Sequence, residues 1–155
     1  MYEDDAQGLL RELAEKHVMV EINLSSNEGI LGITGADHPF PLYRAAHVPV
    51  ALSTDDEGVS RIDLTREYVR AALDYRLTYA DLKQLARTGM DHSFLPGPRL
   101  WAAADAFTSA AAPCKAQPLG GEKPTPACKA FLDGSEKAAA QWELERRFRA
   151  FEAKF

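Results

Sequence analysis

The chain has 155 residues, of which 46% are hydrophobic and 26% are charged, so its composition is that of an ordinary globular domain. Its net charge is -5 and its 18 Lys and Arg residues are dispersed, which excludes a basic surface for nucleic acid. No apolar run approaches the roughly 18 residues of a membrane helix, and the start at Met1–Asp5 is acidic, unlike a signal peptide. We therefore expect neither nucleic acid nor a membrane as partner, and no export signal in this chain.

Helical and strand-like segments alternate in the first part of the chain. Apolar residues at helical spacing predict a helix over residues 5–16, and the short apolar run Val18–Ile22 predicts a buried strand. A short helix over 39–46 and a second buried strand, Val48–Leu52, follow. Because parallel neighbours need a crossover of about a dozen residues or more, this order predicts two parallel strands in an α/β fold.

Polar residues follow both predicted strands, as Asn23–Asn27 and as Ser53–Asp56. In parallel α/β folds, ligands bind outside the carboxyl ends of strands, so we expect the chemistry there. The pair Asp55 and Asp56 is the most specific feature, because two carboxylates leaving a buried strand offer hard oxygen ligands. From the residues alone, a solvated turn leading into Glu57 is the favoured interpretation.

The remaining sequence is predicted to be mainly helical. Apolar faces predict a helix over 64–75 and another that begins at Thr78. A loop rich in Pro and Gly at 110–126 interrupts this pattern, and the last 25 or so residues return to helix. There, an apolar stripe is expected to face a core, or to be exposed if its packing surface belongs to another part of the fold. The stripe consists of Leu144, Phe148, Phe151 and Phe155.

Five segments carry a more specific signal, namely Val20–Asn27, Val50–Arg61, Leu64–Tyr68, Tyr79–Lys83 and His92–Gly97. Together they resemble the adenosine and AMP deaminase family, over roughly residues 3–97. One departure is that Asn23-Leu24 stands where a Cys-Pro pair is common in that family.

The resemblance implies a C-terminal fragment of a β/α (TIM) barrel of the metal-dependent hydrolase type. Residues 1–97 would supply the last two parallel strands and the helices that follow them, and 98–155 would form a helical C-terminal extension with the loop at 110–126. The family's reaction is the zinc-assisted deamination of adenosine to inosine, in which a zinc-bound hydroxide attacks C6 of the purine.

By the same resemblance, Asp55 matches the catalytic aspartate that ligates zinc and contacts the attacking water, and Asp56 matches the residue that hydrogen-bonds the substrate. The substrate would be a purine nucleoside, adenosine or deoxyadenosine. The family's His-x-His pair, its further histidine ligand, its Gly-His-Gly and its proton-donating glutamate find no match in this chain. We therefore expect a missing N-terminal portion, weak or absent zinc binding, and no activity from this chain alone.

Two other interpretations stay open at this point. The chain could be a non-catalytic assembly module that completes a barrel with a separate N-terminal partner. Alternatively, Asp55 and Asp56 could form an unrelated metal-binding loop, although the length of the resemblance argues against it.

The other polar residues near these strands have simpler interpretations. His17 and His47 are expected at the surface or in capping roles. His38 precedes a proline in a segment that resembles the family's loop between the last two strands, and a place near the substrate pocket stays open for it. Glu21 is expected to be a hydrogen-bonded structural carboxylate, and Ser25–Asn27 to shape the loop.

Cys114 and Cys128 enclose 13 residues with little core of their own. A disulfide would close this loop and stabilise it by about 3 kcal/mol, whereas the alternative is two unrelated reduced thiols. We favour the disulfide, which would place the parent protein in an oxidising compartment such as the periplasm or the cell exterior. The localisation is otherwise unknown.

Overall fold

The structure is a computed structural model, and it describes residues 4–155, so Met1, Tyr2 and Glu3 of the acidic start lie outside it. The described residues form eight α-helices and four β-strands. In chain order these are α1 (Ala6–Glu15), β1 (Val20–Ile22), α2 (Leu24–Leu31), α3 (Phe40–Ala45), β2 (Val50–Leu52), α4 (Glu57–Ser60), α5 (Leu64–Tyr75), α6 (Tyr79–Asp91), β3 (Trp101–Ala103), β4 (Ala106–Ala110), α7 (Pro126–Asp133) and α8 (Glu136–Glu152).

The chain divides into two compact units, one up to Gly89 and the other from Met90 onwards. In the first unit β1 pairs with β2 in parallel, with Val20 opposite Val50 and Ile22 opposite Leu52. The predicted parallel pairing is thus confirmed. The ladder continues by one bond, from the Ser53 amide to the Ile22 carbonyl at 3.0 Å, so both strands end at the same edge.

The core of the first unit packs helices against this short sheet. Its buried members are Ile22, Leu24, Phe40, Val50, Leu52, Ala71 and Leu85. All three residues of β2 are buried, as expected for a parallel strand that is covered on both faces. The predicted helices over 5–16, 39–46 and 64–75 correspond to α1, α3 and α5.

The first unit differs from the prediction directly after β1. Asn23–Asn27 was expected to be an exit loop, yet α2 begins at Leu24 and ends at Leu31, and its C-cap Gly32 adopts a φ of 68°. Leu24 is buried in the core, and the amide of Ser25 is bound by the carboxylate of Glu67 on α5. A residue 42 positions away thus stabilises a helical turn that its local polar sequence does not predict.

The second unit also departs from the predicted helical extension, because β3 and β4 form an antiparallel hairpin. Its alanine-rich sequence favours a helix locally. The turn, however, places Asp105 at a φ of 54°, and the rings of Trp101 and Phe107 pack edge to face with centroids 5.3 Å apart. Packing between these aromatic rings outweighs the helix propensity of the alanines.

A second core surrounds the cysteines. A disulfide joins Cys114 and Cys128, whose Cα atoms are 4.7 Å apart and whose side chains are fully buried. Helix α8 contributes Ala138 and Trp142 to this core, and the Trp142 indole donates a hydrogen bond to the Gly121 carbonyl at 3.2 Å. The 110–126 loop is thereby held against α8.

The apolar stripe of α8 does not face this core. Phe151 is 47% exposed and Phe155 is 95% exposed, with their rings 5.0 Å apart. The buried face of α8 is instead formed by Ala138, Gln141, Trp142 and Glu145. Leu144 and Phe148 are half-buried, so the stripe is exposed only at its C-terminal end.

No helix in the part of the chain that the structure describes is long and apolar enough to span a membrane.

Candidate functional site

The common edge of β1 and β2 brings two polar side chains into contact. Ser26, in the first turn of α2, donates a hydrogen bond from its hydroxyl to Oδ2 of Asp55 at 2.8 Å. Ser26 is buried, whereas Asp55 is exposed. The two residues are 29 positions apart in sequence, so only the parallel pairing explains their contact. Ser26 was expected to shape a loop, and its local sequence does not indicate this contact.

The backbone at Asp55 forms a tight turn. Asp55 has a φ of 54°, its amide donates to the Ser53 hydroxyl at 3.3 Å, and its carbonyl accepts from the Glu57 amide at 3.0 Å. A left-handed conformation is uncommon outside glycine, although aspartate tolerates it better than most residues. The turn follows β2 and leaves the Asp55 side chain at the edge of the sheet where α2 begins.

Asp56 occupies a different position from Asp55. It stands at the N-cap of α4 without a side-chain capping bond, and its carbonyl accepts from the Ser60 amide at 2.9 Å. Its side chain is exposed. The structure therefore brings Asp55, but not Asp56, into the contact with Ser26.

Helix α5 holds the first turn of α2 through Arg70. The guanidinium forms ion pairs with Glu28 at 2.6 Å and with Asp74 at 3.2 Å. It also donates to the hydroxyls of Thr34 at 3.0 Å and Ser25 at 3.4 Å. A forked, permanently charged donor can serve several acceptors at once, which suits Arg70 to crosslink the two helices.

Glu67 makes the second contact between α5 and α2. Its side chain is fully buried, and Oε2 accepts a hydrogen bond from the Ser25 amide at 3.2 Å. Its other oxygen, Oε1, and Oδ1 of Asn23 are buried without a hydrogen-bond partner among residues 4–155. Leaving two buried acceptors without hydrogen bonds near one helix start lowers the stability of the fold. Nothing in the sequence pattern indicates that Glu67 is buried there.

His38 is buried, since only 3% of its surface is exposed. Its Nδ1 accepts a hydrogen bond from the Phe40 amide at 3.1 Å, and its Nε2 lies 3.2 Å from the Asn27 side-chain amide. An accepting Nδ1 places the proton of the neutral ring on Nε2, and a hydrogen bond to Asn27 then needs the Asn27 amide turned so that Oδ1, rather than Nδ2, faces the ring. Burial, followed by the charge of Arg70, lowers the pKa of His38 below its usual 6.5.

Three other residues near the strands take no part in this site. His17 and His47 are exposed and follow α1 and α3 in left-handed conformations, with φ of 53° and 57°. Glu21 is exposed on β1, so its charge is solvated, and the expected structural carboxylate role is wrong. The alternation of side chains along β1 places Glu21 on the face opposite to buried Ile22.

The second unit contains a separate group with ligating side chains, which the sequence analysis missed. Asp91, His92 and Asp105 offer one ligand atom each within 4.8 Å, and Nε2 of His92 is 2.9 Å from Oδ1 of Asp105. Asp91 is already engaged, since it accepts from the Gln141 amide at 2.9 Å and pairs with Arg99 at 3.3 Å. These contacts indicate a structural network, and only the β3–β4 turn brings Asp105 to the other two residues.

Zinc coordination can be tested against the residues around Asp55. A catalytic zinc site takes about three protein ligands and an open position. Among residues 4–155, the group in the second unit is the one set of three such side chains, and it does not include Asp55. The described part of the chain therefore does not assemble a zinc site at Asp55.

Comparison with known proteins decides the family. The family model described as adenosine deaminase matches residues 1–108, which covers the parallel strands, Ser26 and Asp55. This chain belongs to the adenosine deaminase family. No solved structure matches the chain.

Relatives within the adenosine deaminase family are similar at modest identity. An adenosine deaminase of Enterococcus faecalis is 34% identical over 92 residues, 59% of this chain, and one of Shewanella loihica is 33% identical over 88 residues, 56% of this chain. An aminodeoxyfutalosine deaminase of Streptomyces coelicolor is 34% identical over 106 residues, 66% of this chain. In each case the match spans 27% of the relative's length.

The lowered pKa of His38 predicts a pH-dependent stability. The unfolded chain takes up the proton at a higher pH than the folded chain, so this stability is present above about pH 6.5 and is lost as the pH falls below it. Urea unfolding between about pH 7.5 and pH 5 should show a steeper loss for the wild type than for His38→Gln. His17→Gln, which changes an exposed histidine, should retain the wild-type slope. Identical slopes for wild type and His38→Gln would contradict the assignment.

Proposed function

We propose that this chain is the part of a zinc-dependent adenosine deaminase that supplies Asp55 as one metal ligand and catalytic carboxylate. The observation that carries this proposal is the Ser26–Asp55 hydrogen bond of 2.8 Å at the common edge of two parallel strands. Both residues lie within the segment matched by the family model.

The proposed setting is a TIM barrel in which β1 and β2 are the last two strands. Their parallel pairing, the helices between them and the complete burial of β2 support this proposal. Because no group of three ligating side chains among the described residues includes Asp55, the remaining zinc ligands and the proton donor would come from the part of the family fold that this chain does not match. Alone, the chain would bind zinc weakly or not at all.

Ser26 has a defined role in this proposal. Its hydroxyl donates to Oδ2 of Asp55, while Oδ1 of Asp55 has no hydrogen bond among residues 4–155. A carboxylate held at one oxygen keeps the other in a fixed orientation, as outer-shell partners do for metal ligands generally. Asp56 is proposed to contact the purine, for which its exposed and uncapped carboxylate is available.

The proposed substrate class is an adenine nucleoside, and adenosine and deoxyadenosine are the first candidates. The names of the relatives add aminodeoxyfutalosine to the compounds worth testing. Measuring the deamination rate of the complete enzyme with each of the three compounds would decide among them.

Exposed apolar side chains favour a second candidate role in assembly. Ile30 is 72% exposed, Leu73 is 74% exposed and Val59 is 81% exposed, all in the first unit. Such side chains would suit a module that completes a barrel with a separately encoded N-terminal partner. Activity that appears when the two parts are expressed as separate chains would favour this role, whereas activity only in a continuous chain would exclude it.

We also propose that the parent protein resides in an oxidising compartment. The disulfide between the buried Cys114 and Cys128 supports this location, since thiols are generally kept reduced in the cytosol. Protein isolated from its own cells with thiols blocked at lysis should show no reactive thiol at either cysteine. Alkylation of both cysteines at lysis would contradict the proposed compartment.

The catalytic proposal is tested by joining this segment to the upstream portion of a family member and measuring inosine formation from adenosine. Mutation of a residue that contacts a metal ligand lowers metal affinity or activity roughly 10- to 100-fold. Asp55→Ala removes a proposed ligand itself, so it should lower kcat by more than about 100-fold. Asp56→Ala removes a hydrogen bond to substrate and should lower kcat/KM less, by roughly 10- to 100-fold. The isolated segment should be inactive.

Glu21→Ala serves as a matched control, because it removes an exposed carboxylate of the same unit that takes no part in this site. It should retain most of the activity. Turnover by the isolated segment, or full activity of the Asp55→Ala enzyme, would refute the assignment.

A further inference from the structure

The buried carboxylate of Glu67 accepts a hydrogen bond from the first turn of α2. Glu67 is fully buried on α5, accepts one hydrogen bond from the Ser25 amide, and leaves Oε1 without a partner among the described residues. A buried carboxylate with so few partners costs several kcal/mol, and apolar replacements of buried charges are often more stable. Stability alone therefore does not account for a glutamate at this position.

The contact made by Glu67 leads directly to the proposed site. Ser25, whose amide it binds, precedes Ser26, whose hydroxyl donates to Asp55 at 2.8 Å. The planar peptide between the two serines transmits the position of one to the other. Helix α2 has 8 residues, which is too short to be stable by itself, so its first turn depends on such tertiary contacts.

The usual means of fixing a helix start is absent here. Asn23 occupies the N-cap of α2, yet it makes no capping hydrogen bond with its side chain. Glu67 binds the amide that such a cap would serve, and Arg70, one turn further along α5, donates to the Ser25 hydroxyl at 3.4 Å. Helix α5 thus holds Ser25 by both its backbone and its side chain.

We propose that Glu67 is a positioning residue, which fixes the first turn of α2 so that Ser26 holds the Asp55 carboxylate in one orientation. The consequence for catalysis rests on the proposed function of Asp55. The positioning itself can be measured on the chain without any reaction.

The test on the full chain uses NMR. Glu67→Leu removes the acceptor, so the Ser25 amide should exchange with solvent roughly tenfold faster or more, and the Asp55 carboxyl carbon should shift in the same direction as in Ser26→Ala. Glu67→Gln retains an oxygen acceptor and should keep both signals near wild type. Glu21→Gln, which changes an exposed carboxylate of the same unit, is the matched control and should leave both signals unchanged.

A double-mutant cycle separates positioning from general loosening of the fold. In the Ser26→Ala background, Glu67→Leu should shift the Asp55 carbon no further. The proposal would be overturned if Glu67→Leu leaves the Ser25 amide exchange and the Asp55 signal at their wild-type values. It would also be overturned if Glu67→Leu shifts the Asp55 carbon as much in the Ser26→Ala background as it does in the wild type. If Glu67→Leu does not fold, Glu67→Asp replaces it, because its carboxylate is one methylene too short to reach the Ser25 amide and the same outcomes apply.

The complete enzyme provides the functional comparison. Glu67→Leu should lower kcat roughly 10- to 100-fold with KM near wild type, and Glu67→Gln should restore most of the activity. An inactive Asp55→Ala enzyme together with a fully active Glu67→Leu enzyme would overturn the positioning role while the proposed function stands. A fully active Asp55→Ala enzyme would refute the proposed function, and the NMR result would still decide whether Glu67 positions Asp55.

Discussion

The parallel pairing of β1 with β2 is the constraint on which the candidate site depends. Both strands run in the same direction, so the residues that follow them emerge at one edge of the sheet. Ser26 and Asp55 meet there although 29 positions separate them. An antiparallel arrangement would place the two exits at opposite ends, and neither the contact nor the resemblance to a strand-end metal site would have a structural basis.

A layer of polar side chains supports this edge, and two of its members on α5 contact α2. Glu67 binds the backbone of Ser25, Arg70 links Glu28 to Asp74, and buried His38 bonds to the Phe40 amide. Hydrogen bonds of this kind are directional, whereas apolar contacts are not. The apolar core of β2 and its neighbours therefore stabilises the unit, and the polar layer fixes where its first helical turn lies.

The sequence predicted those features that depend on local pattern. The two apolar runs and the crossover between them predicted the parallel strands, and the position of Asp55 after the second run predicted that it lies at the end of the sheet. It did not predict α2, because its first turn depends on Glu67 from a distant helix. It also did not predict the β3–β4 hairpin, where the packing of Trp101 against Phe107 outweighs a helix-favouring alanine run. The approach of Asp105 to Asp91 and His92 depends on that hairpin and was missed with it.

Membership in the adenosine deaminase family and the geometry at Asp55 both support the proposal that Asp55 is a metal ligand in the complete enzyme. The match spans 27% of the relatives' length, and we propose that the remaining zinc ligands lie in the part of the family fold that this chain does not match. The central claim is that Asp55 becomes a metal ligand in the complete enzyme. Anomalous diffraction at the zinc edge from crystals of that enzyme tests it, and a zinc peak about 2.0–2.2 Å from a carboxylate oxygen of Asp55 is the predicted result. A zinc ion held entirely by other side chains, with Asp55 bonded only to Ser26, would contradict it.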